Sequence, residues 1–599
     1  MINPKINLGG VARREKSRLL WRFTAATLLF LPIMVSLASA QTSGPIKLYK
    51  STPATNNKND AKKPGIEKKQ NSEDKIAVQK LGGVDLSSVG AIGPAEGGFP
   101  ADMWQGSDRR LLEILLPQLP VRPATTTLRS LQRRLLLTAA AVPNGRAQGP
   151  SLLALRLEKL AEAGWLDEVV MLARQVPEGM TDATLARAQR DSLYLLGDVA
   201  GACQVVGQFS NLDPSLDWQK SAAFCAAITG DVATLELTLA LVQEQDSEDK
   251  VFFALINEIH HGEKTKIRRI KVEEPLDFAL LRATNREFGA EITATSNPGM
   301  LRTIATWDNL PDEDQVKASV WAEAVGALPT AALRDRLMQH AFDDKARAAP
   351  DTFAAKRNAA LAQALYFQIA ADEEDPDDRA RLLQKAFRYG RDKNIYADAV
   401  RLNQTTLNRI QPELTLKWFA EDAIRAHLLI GQIERAEAWF NLLSNDTASR
   451  VASRKMAPLM YLSSTGASRM SATATIGQWW LAETANSDNS RFQRAEYLST
   501  LLVALGKNVP DSLWRALLSS PANHDSKVIS GGLNHALTTA AGKKQLGKTV
   551  LLSLIALGET PPNNLAASNI AAIVSALEQV GLSDDARLLA IETLSELEF

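Results

Sequence analysis

The chain has 599 residues, 45% of them hydrophobic, enough to bury a sizeable core as several domains or as one long repeat array. Its 68 Lys and Arg balance 68 Asp and Glu, which removes any global electrostatic case for nucleic acid or an anionic membrane as partner. A low aromatic content of 6% and the lack of period-2 segments argue against a sheet protein.

Residues 1–40 read as an address. Arg13, Arg14, Lys16, Arg18 and Arg22 form a basic region, Phe23 to Leu37 is apolar, and Ala38-Ser39-Ala40 supplies a small-residue cleavage pattern before Gln41. A secretory signal peptide is expected, placing the chain in a bacterial-type periplasm or cell envelope. The long basic flank leaves an uncleaved inner-membrane anchor as the alternative. Residues 41–100 are rich in Lys, Asn, Pro and Ser, as in Asn56-Asn57-Lys58-Asn59-Asp60. Such a stretch buries too little apolar surface to offset its ordering entropy, so a disordered linker is expected, spanning about 40–45 Å as a flexible coil.

Residues 101–150 are expected to form an N-terminal helical cap. Ser107 is positioned to cap a short helix through Leu116, and Thr126 or Thr127 a longer one through about Ala141 with Leu128, Leu131, Leu135 and Leu136 on one side. Arg109, Arg110, Arg129, Arg133 and Arg134 lie on the other side, which reads as a solvated face.

From Ser151 the sequence turns periodic. A glycine closing an apolar helical run recurs at Gly164, Gly197, Gly230 and Gly262, at intervals of 33, 33 and 32 residues, the spacing of stacked two-helix repeats. Leu185, Ala188, Ser192 and Leu195 share a face before Gly197, and Val199, Ala202, Val206 and Phe209 continue it after the turn. Regular helical repeats are expected over 151–270, an irregular helical region over 271–410, and C-terminal helical repeats over 411–599. Gly326, Gly390, Gly506 and Gly558 each fall at or near the end of a helical run.

Gly431-Gln432-Ile433-Glu434-Arg435-Ala436-Glu437-Ala438-Trp439 resembles the turn and second helix of a tetratricopeptide repeat, in which a packed Ala follows the Gly by five positions. Gly197 with Ala202 and Gly581 with Ala586 match that pair, whereas the paired aromatics of the first helix are mostly missing. The chain from 151 to 599 thus resembles a degenerate tetratricopeptide-like or Sel1-like repeat protein of the exported bacterial type. The resemblance implies an all-α, right-handed superhelical solenoid of stacked helical hairpins that binds a protein partner, usually on its concave face.

Chemical motifs are few. Gly542-Lys543-Lys544-Gln545-Leu546-Gly547-Lys548-Thr549 fits the phosphate-binding pattern, but no apolar strand precedes it, so an inter-helix turn is expected and no nucleotide. Cys203 and Cys225 fall at comparable heights on neighbouring antiparallel helices; a disulfide and a pair of small buried thiols both fit that placement. None of the six histidines has metal-site spacing, and His427 with Ile424 and Leu428 reads as core. The acidic run Asp372 to Asp378 precedes a helix, where capping is expected of it. Ser72-Glu73-Asp74-Lys75 and Ser247-Glu248-Asp249-Lys250 match a serine-x-x-lysine pattern without its companion motifs. Two interface candidates remain: the basic patch Lys266, Arg268, Arg269 and Lys271, partly neutralised by Glu273 and Glu274, and the adjacent Trp479 and Trp480, which fit either a place in the core for both or exposure of one as an interface anchor.

No catalytic, cofactor or metal site emerges. The expected function is an exported helical scaffold that binds a protein partner in the envelope. The alternatives are a polysaccharide-acting enzyme or accessory subunit with a groove-borne carboxylate site, and a membrane-anchored structural component.

Overall fold

Gly164, Gly197, Gly230 and Gly262 all adopt positive φ, at 76°, 82°, 72° and 75°, which only glycine takes without strain and which ends the helix before each. The computed structural model describes residues 86–599 apart from 177–181, 211, 268–269, 271, 287–295, 308–309, 465–471, 484–489, 520–525 and 598. Residues 1–40, the linker to residue 85, Ser72, and Arg268, Arg269 and Lys271 of the basic patch therefore lie outside the described residues. The described residues are helical, joined by turns and three isolated bridges, and contain no strand.

The spaced glycines join helices into hairpins: Leu152–Glu162 with Leu166–Ala173, Ala183–Leu196 with Val199–Phe209, and Leu216–Thr229 with Val232–Gln245, before the single helix Lys250–His261. Each hairpin packs on the next. Asp198 and Asp231 start their second helices by accepting from the Gly201 and Thr234 amides at 2.9 and 3.2 Å. Ala202, Ala436 and Ala586, each five positions after its glycine, are fully buried.

Shorter helices follow from Pro275–Ala283 to Gln404–Leu407, and longer hairpins resume at Ala420–Leu429 with Ile433–Ser444 and end at Ala567–Gln579 with Ser583–Glu596. Gly390 lies inside the helix Pro376–Asp392, where the bare Cα admits Ala399; the turn falls at Asn394, with φ of 56°.

The N-terminal segment does more than cover the first hairpin. Its helix Thr126–Leu137 packs on Leu152–Glu162 and also on Leu546–Leu557 and Ser583–Glu596. One apolar core consequently joins residues 86–188 to residues 370–599. Main-chain bonds cross the same junction: the Gly547 amide donates to Met103 O at 2.9 Å and the Ala124 amide to Gly558 O at 3.2 Å.

Two expectations for this segment need correction. Residues 86–100 belong to the fold and not to a linker: Phe99 is 1% exposed, and the Ala91 and Ala139 amides bond Leu137 O and Ile92 O at 2.8 and 2.9 Å. A Cβ on Gly90 would overlap the Ala139 backbone, so its glycine serves a close approach. The arginine side is a solvated face only in part: Arg110 and Arg133 are exposed, whereas Arg109 is buried, Arg134 bonds Asp585 at 2.9 Å and Arg129 donates to Ala324 O, fastening two distant segments. The helix caps are Asp108 and Thr125, one position away from or before those expected.

Candidate functional site

The third hairpin ends in a helix whose sequence, VATLELTLALVQEQ, carries apolar residues on its outer as well as its inner side. Its packing is with Leu216–Thr229, and only Leu235, Thr238 and Val242 are buried, at the spacing of one helix face. Val232 and Leu237 stay 47% and 63% exposed, with Ala233, Ala240 and Leu241 exposed too. At 100° per residue, Ala233, Leu237, Ala240 and Leu241 gather opposite the buried face as one apolar stripe. Glu236 borders it and Glu244 lies in line with it, one turn beyond Ala240; both are exposed.

The support beneath this helix is rigid. Cys203 and Cys225 are joined as a disulfide, with Cα atoms 5.5 Å apart, tying Val199–Phe209 to Leu216–Thr229. Phe209 stacks on Trp218 at 5.9 Å, and the Arg190 guanidinium lies 4.4 Å from the Trp218 ring. Arg190 also donates to Asp217 at 2.7 Å and to Asp191 at 2.8 Å. Burial pushes the Asp191 carboxyl up to about 6 in spite of that partner.

A cavity of about 290 Å³ lies among Leu216–Thr229, Lys250–His261 and Pro275–Ala283, lined by Asp217, Lys220, Asp249, Glu273, Glu274 and Asp277 among others. In its wall the Lys220 ammonium bonds Asp246, the residue after Val232–Gln245, at 2.9 Å and Asp249 at 2.6 Å. Burial, and then the charge of neighbouring carboxylates, raises Glu274. Asp277 is raised by burial although it accepts the Glu273 and Glu274 amides at 2.9 Å each.

A second cavity, of about 460 Å³, lies where the N-terminal helix meets the middle and C-terminal segments. Arg129, Arg391, Asp398, Arg401, Glu592 and Glu596 supply its charges, three of each sign. Arg401 is committed to Glu323 at 3.2 Å, to Asp398 at 2.6 Å and to the Thr126 hydroxyl at 2.9 Å. Burial opposes its charge, yet the two carboxylates outweigh burial and hold it above its ordinary value. Glu592 is buried and accepts the Thr127 amide at 3.1 Å, an anion at a helix N-terminus. On the exposed rim, Glu596 is pushed up to about 7, by burial of its carboxyl first, with the charge of Glu592 adding.

The structure separates the sequence candidates. Trp479 and Trp480 are 2% and 8% exposed, so the expectation that one anchors an interface is corrected. Phe599 stacks on Trp479 at 5.0 Å and Phe492 meets Trp480 at 5.6 Å, covering two sides of one helix. Lys266 stands in the loop after Lys250–His261 and the rest of its patch lies outside the described residues. His427 is fully buried, with Nδ1 2.8 Å from Gln432 Oε1, and burial lowers it to about 4.

The 542–549 segment is a turn between Gly531–Gly542 and Leu546–Leu557, in which the amides of Lys543, Lys544, Gln545 and Gly547 donate to protein carbonyls. Asp375 caps Pro376–Asp392 through the Asp377 and Asp378 amides at 2.9 and 3.0 Å. Sequence reasoning missed the Val232–Gln245 stripe, although its signal was present: Leu237, Ala240 and Leu241 occupy the side that should have been polar.

Among the described residues no group of His, Cys, Asp and Glu could hold a metal ion, and no helix is long and apolar enough to cross a membrane. No protein-family model matches the chain, and no curated protein or solved structure is significantly similar to it.

Proposed function

We propose that this chain is an exported helical-repeat scaffold that binds a protein partner in the periplasm or cell envelope, its hairpins stacked as a tetratricopeptide-like right-handed solenoid. The observation that carries the reading is the apolar outer side of Val232–Gln245, with Leu237 63% exposed on a helix backed by a disulfide. A preformed, stiff apolar surface binds at lower ordering cost than a flexible one. The disulfide also suits an oxidising compartment, in agreement with the basic and apolar leader of residues 1–40.

A photocrosslinking amino acid at Leu237, introduced in envelope-bearing cells, tests the proposal. A discrete protein adduct is expected at Leu237 and not at the exposed position Lys250. Identical patterns at both positions, or none at either, would overturn it.

One observation favours a second reading, a polysaccharide-acting enzyme: Glu592 and Glu596 share the larger cavity, and Glu596 is raised to about 7, the range of a general acid. Clearing of cell-wall material by the purified protein, lost in Glu596→Gln, would establish that activity; equal absence of clearing in both proteins would dismiss it.

A further inference from the structure

We propose that the groove beside the helix Pro376–Asp392 binds a small carboxylic acid that also carries a hydrogen-bond donor, Arg388 and Lys393 taking the carboxylate and Asp392 the donor. The groove shares no residue with the Val232–Gln245 face or with the larger cavity, so it stands apart from both readings above.

The helix repeat builds one wall. Lys385, Arg388 and Asp392 follow at steps of three and four and so share one side of Pro376–Asp392. That side lines, with Asp351 of Pro350–Ala354 and Tyr366 of Ala359–Asp372, a space of about 360 Å³, near the lower end of the range for small-ligand pockets. Tyr366 is 4% exposed, and its ring meets Tyr389 at 5.6 Å as an aromatic wall.

Pairing within the groove decides which groups are left for a ligand. Asp351 is used up: the Tyr366 hydroxyl donates to one carboxylate oxygen at 2.7 Å and the Lys385 ammonium to the other at 2.8 Å. The Lys385 bond above all holds Asp351 below its ordinary value, so this pair stays charged and cancels. Arg388 and Asp392 stand one turn apart, a spacing that permits an ion pair, yet neither has one among the described residues. Lys393 approaches the Tyr389 ring at 6.0 Å and has no carboxylate partner there, and the Tyr389 hydroxyl has no hydrogen bond among the described residues. Two cations, one carboxylate and a phenol therefore remain, an excess of one positive charge that a single carboxylate neutralises. The planar arginine fork suits a carboxylate with two parallel bonds, and Asp392 accepts from a hydroxyl or ammonium of the same molecule. A long polyanion laid on this helix would be repelled by the acidic run Asp372 to Asp378 at its other end.

Isothermal titration of the purified full chain with glucuronate, glutamate and glucose tests the site. Glucuronate offers hydroxyl donors, glutamate an ammonium, and glucose no charge. At least one acid should bind with a Kd below about 1 mM, at least about tenfold tighter than glucose, and several-fold weaker in high salt. Tighter glucuronate assigns the groove to acidic sugars, and tighter glutamate to acidic amino acids. Arg388→Gln should weaken the preferred acid by about tenfold, whereas Arg110→Gln, at an exposed arginine elsewhere, should leave it unchanged. Asp392→Asn should weaken it by about threefold or more. Arg388 also complements the helix C-terminus, so circular dichroism accompanies each variant, and Lys393→Gln, beyond the helix end, replaces Arg388→Gln if that protein is unfolded, with a loss of about threefold to tenfold. Glucose binding as tightly as the acids, neither acid binding up to about 10 mM, unchanged binding in both Arg388→Gln and Lys393→Gln, or tighter binding in Asp392→Asn overturns the inference.

Discussion

The hairpins of residues 152–261 and the junction around Thr126–Leu137 are built from the same kinds of helix, yet they bury their surfaces by opposite routes. In the hairpin series the first two hairpins are covered by one another and by Pro275–Ala283 and Pro298–Ala305, whereas Val232–Gln245 packs on its own hairpin partner and leaves Leu237 and Leu241 in solvent. At the junction, cover comes from the far end of the chain: Leu135 is fully buried in a core shared with residues 370–599. Local cover permits a free outer face, whereas long-range closure leaves none. The candidate binding surface accordingly lies on the hairpin series, and the junction supplies rigidity.

This contrast can be broken by substitution. Leu135→Ala should have the largest effect, about 3–4 kcal/mol, and hydrogen exchange should accelerate both in residues 86–188 and in 370–599. Acceleration limited to Thr126–Leu137 would mean that the two ends do not share one cooperative core.

Replacing Cys203 and Cys225 by Ser together should cost about 3 kcal/mol in denaturant unfolding, with faster exchange confined to the hairpin series. Spread of that effect into 546–596 would erase the distinction.

Acidity sharpens it from the junction side. Because burial holds His427 down at about 4, the unfolded chain gains a proton below its ordinary value near 6.5 that the folded chain refuses. Stability is therefore lost as pH falls through that window, by about 2 kcal/mol between pH 7 and 5 from this residue. In His427→Gln, urea unfolding should show this dependence on pH reduced by one proton.

Smallest of all, Leu237→Ser and Leu241→Ser should each change stability by no more than about 0.5 kcal/mol. A loss of 2 kcal/mol or so would show that the stripe is covered within the protein.

Much of the hairpin series was legible because its determinants are local. A glycine, a cap and an Ala five positions later are read within ten residues, and Gly197 with Ala202 behaves as that pattern implies. The junction was not legible. Arg129 meets Ala324 across 195 positions and Arg134 meets Asp585 across 451, and no periodicity reports such pairs. Residues 86–100 have the composition of a flexible segment, since Gly90 is needed for close approach, and only Phe99 hints at burial. Trp479 and Trp480 posed the converse difficulty: adjacency on a helix fixes the angle between them, and not how many sides of that helix are covered.

The bond from the Thr127 amide to Glu592 spans 465 positions of sequence. Such a contact gives the fold a slow, late step, because loop closure on that scale must precede the reward of the shared core. Until Ser583–Glu596 emerges during synthesis, Thr126–Leu137 lacks one of its apolar neighbours, and the nascent chain presents Leu128, Leu131 and Leu135 to whatever binds unfolded polypeptide.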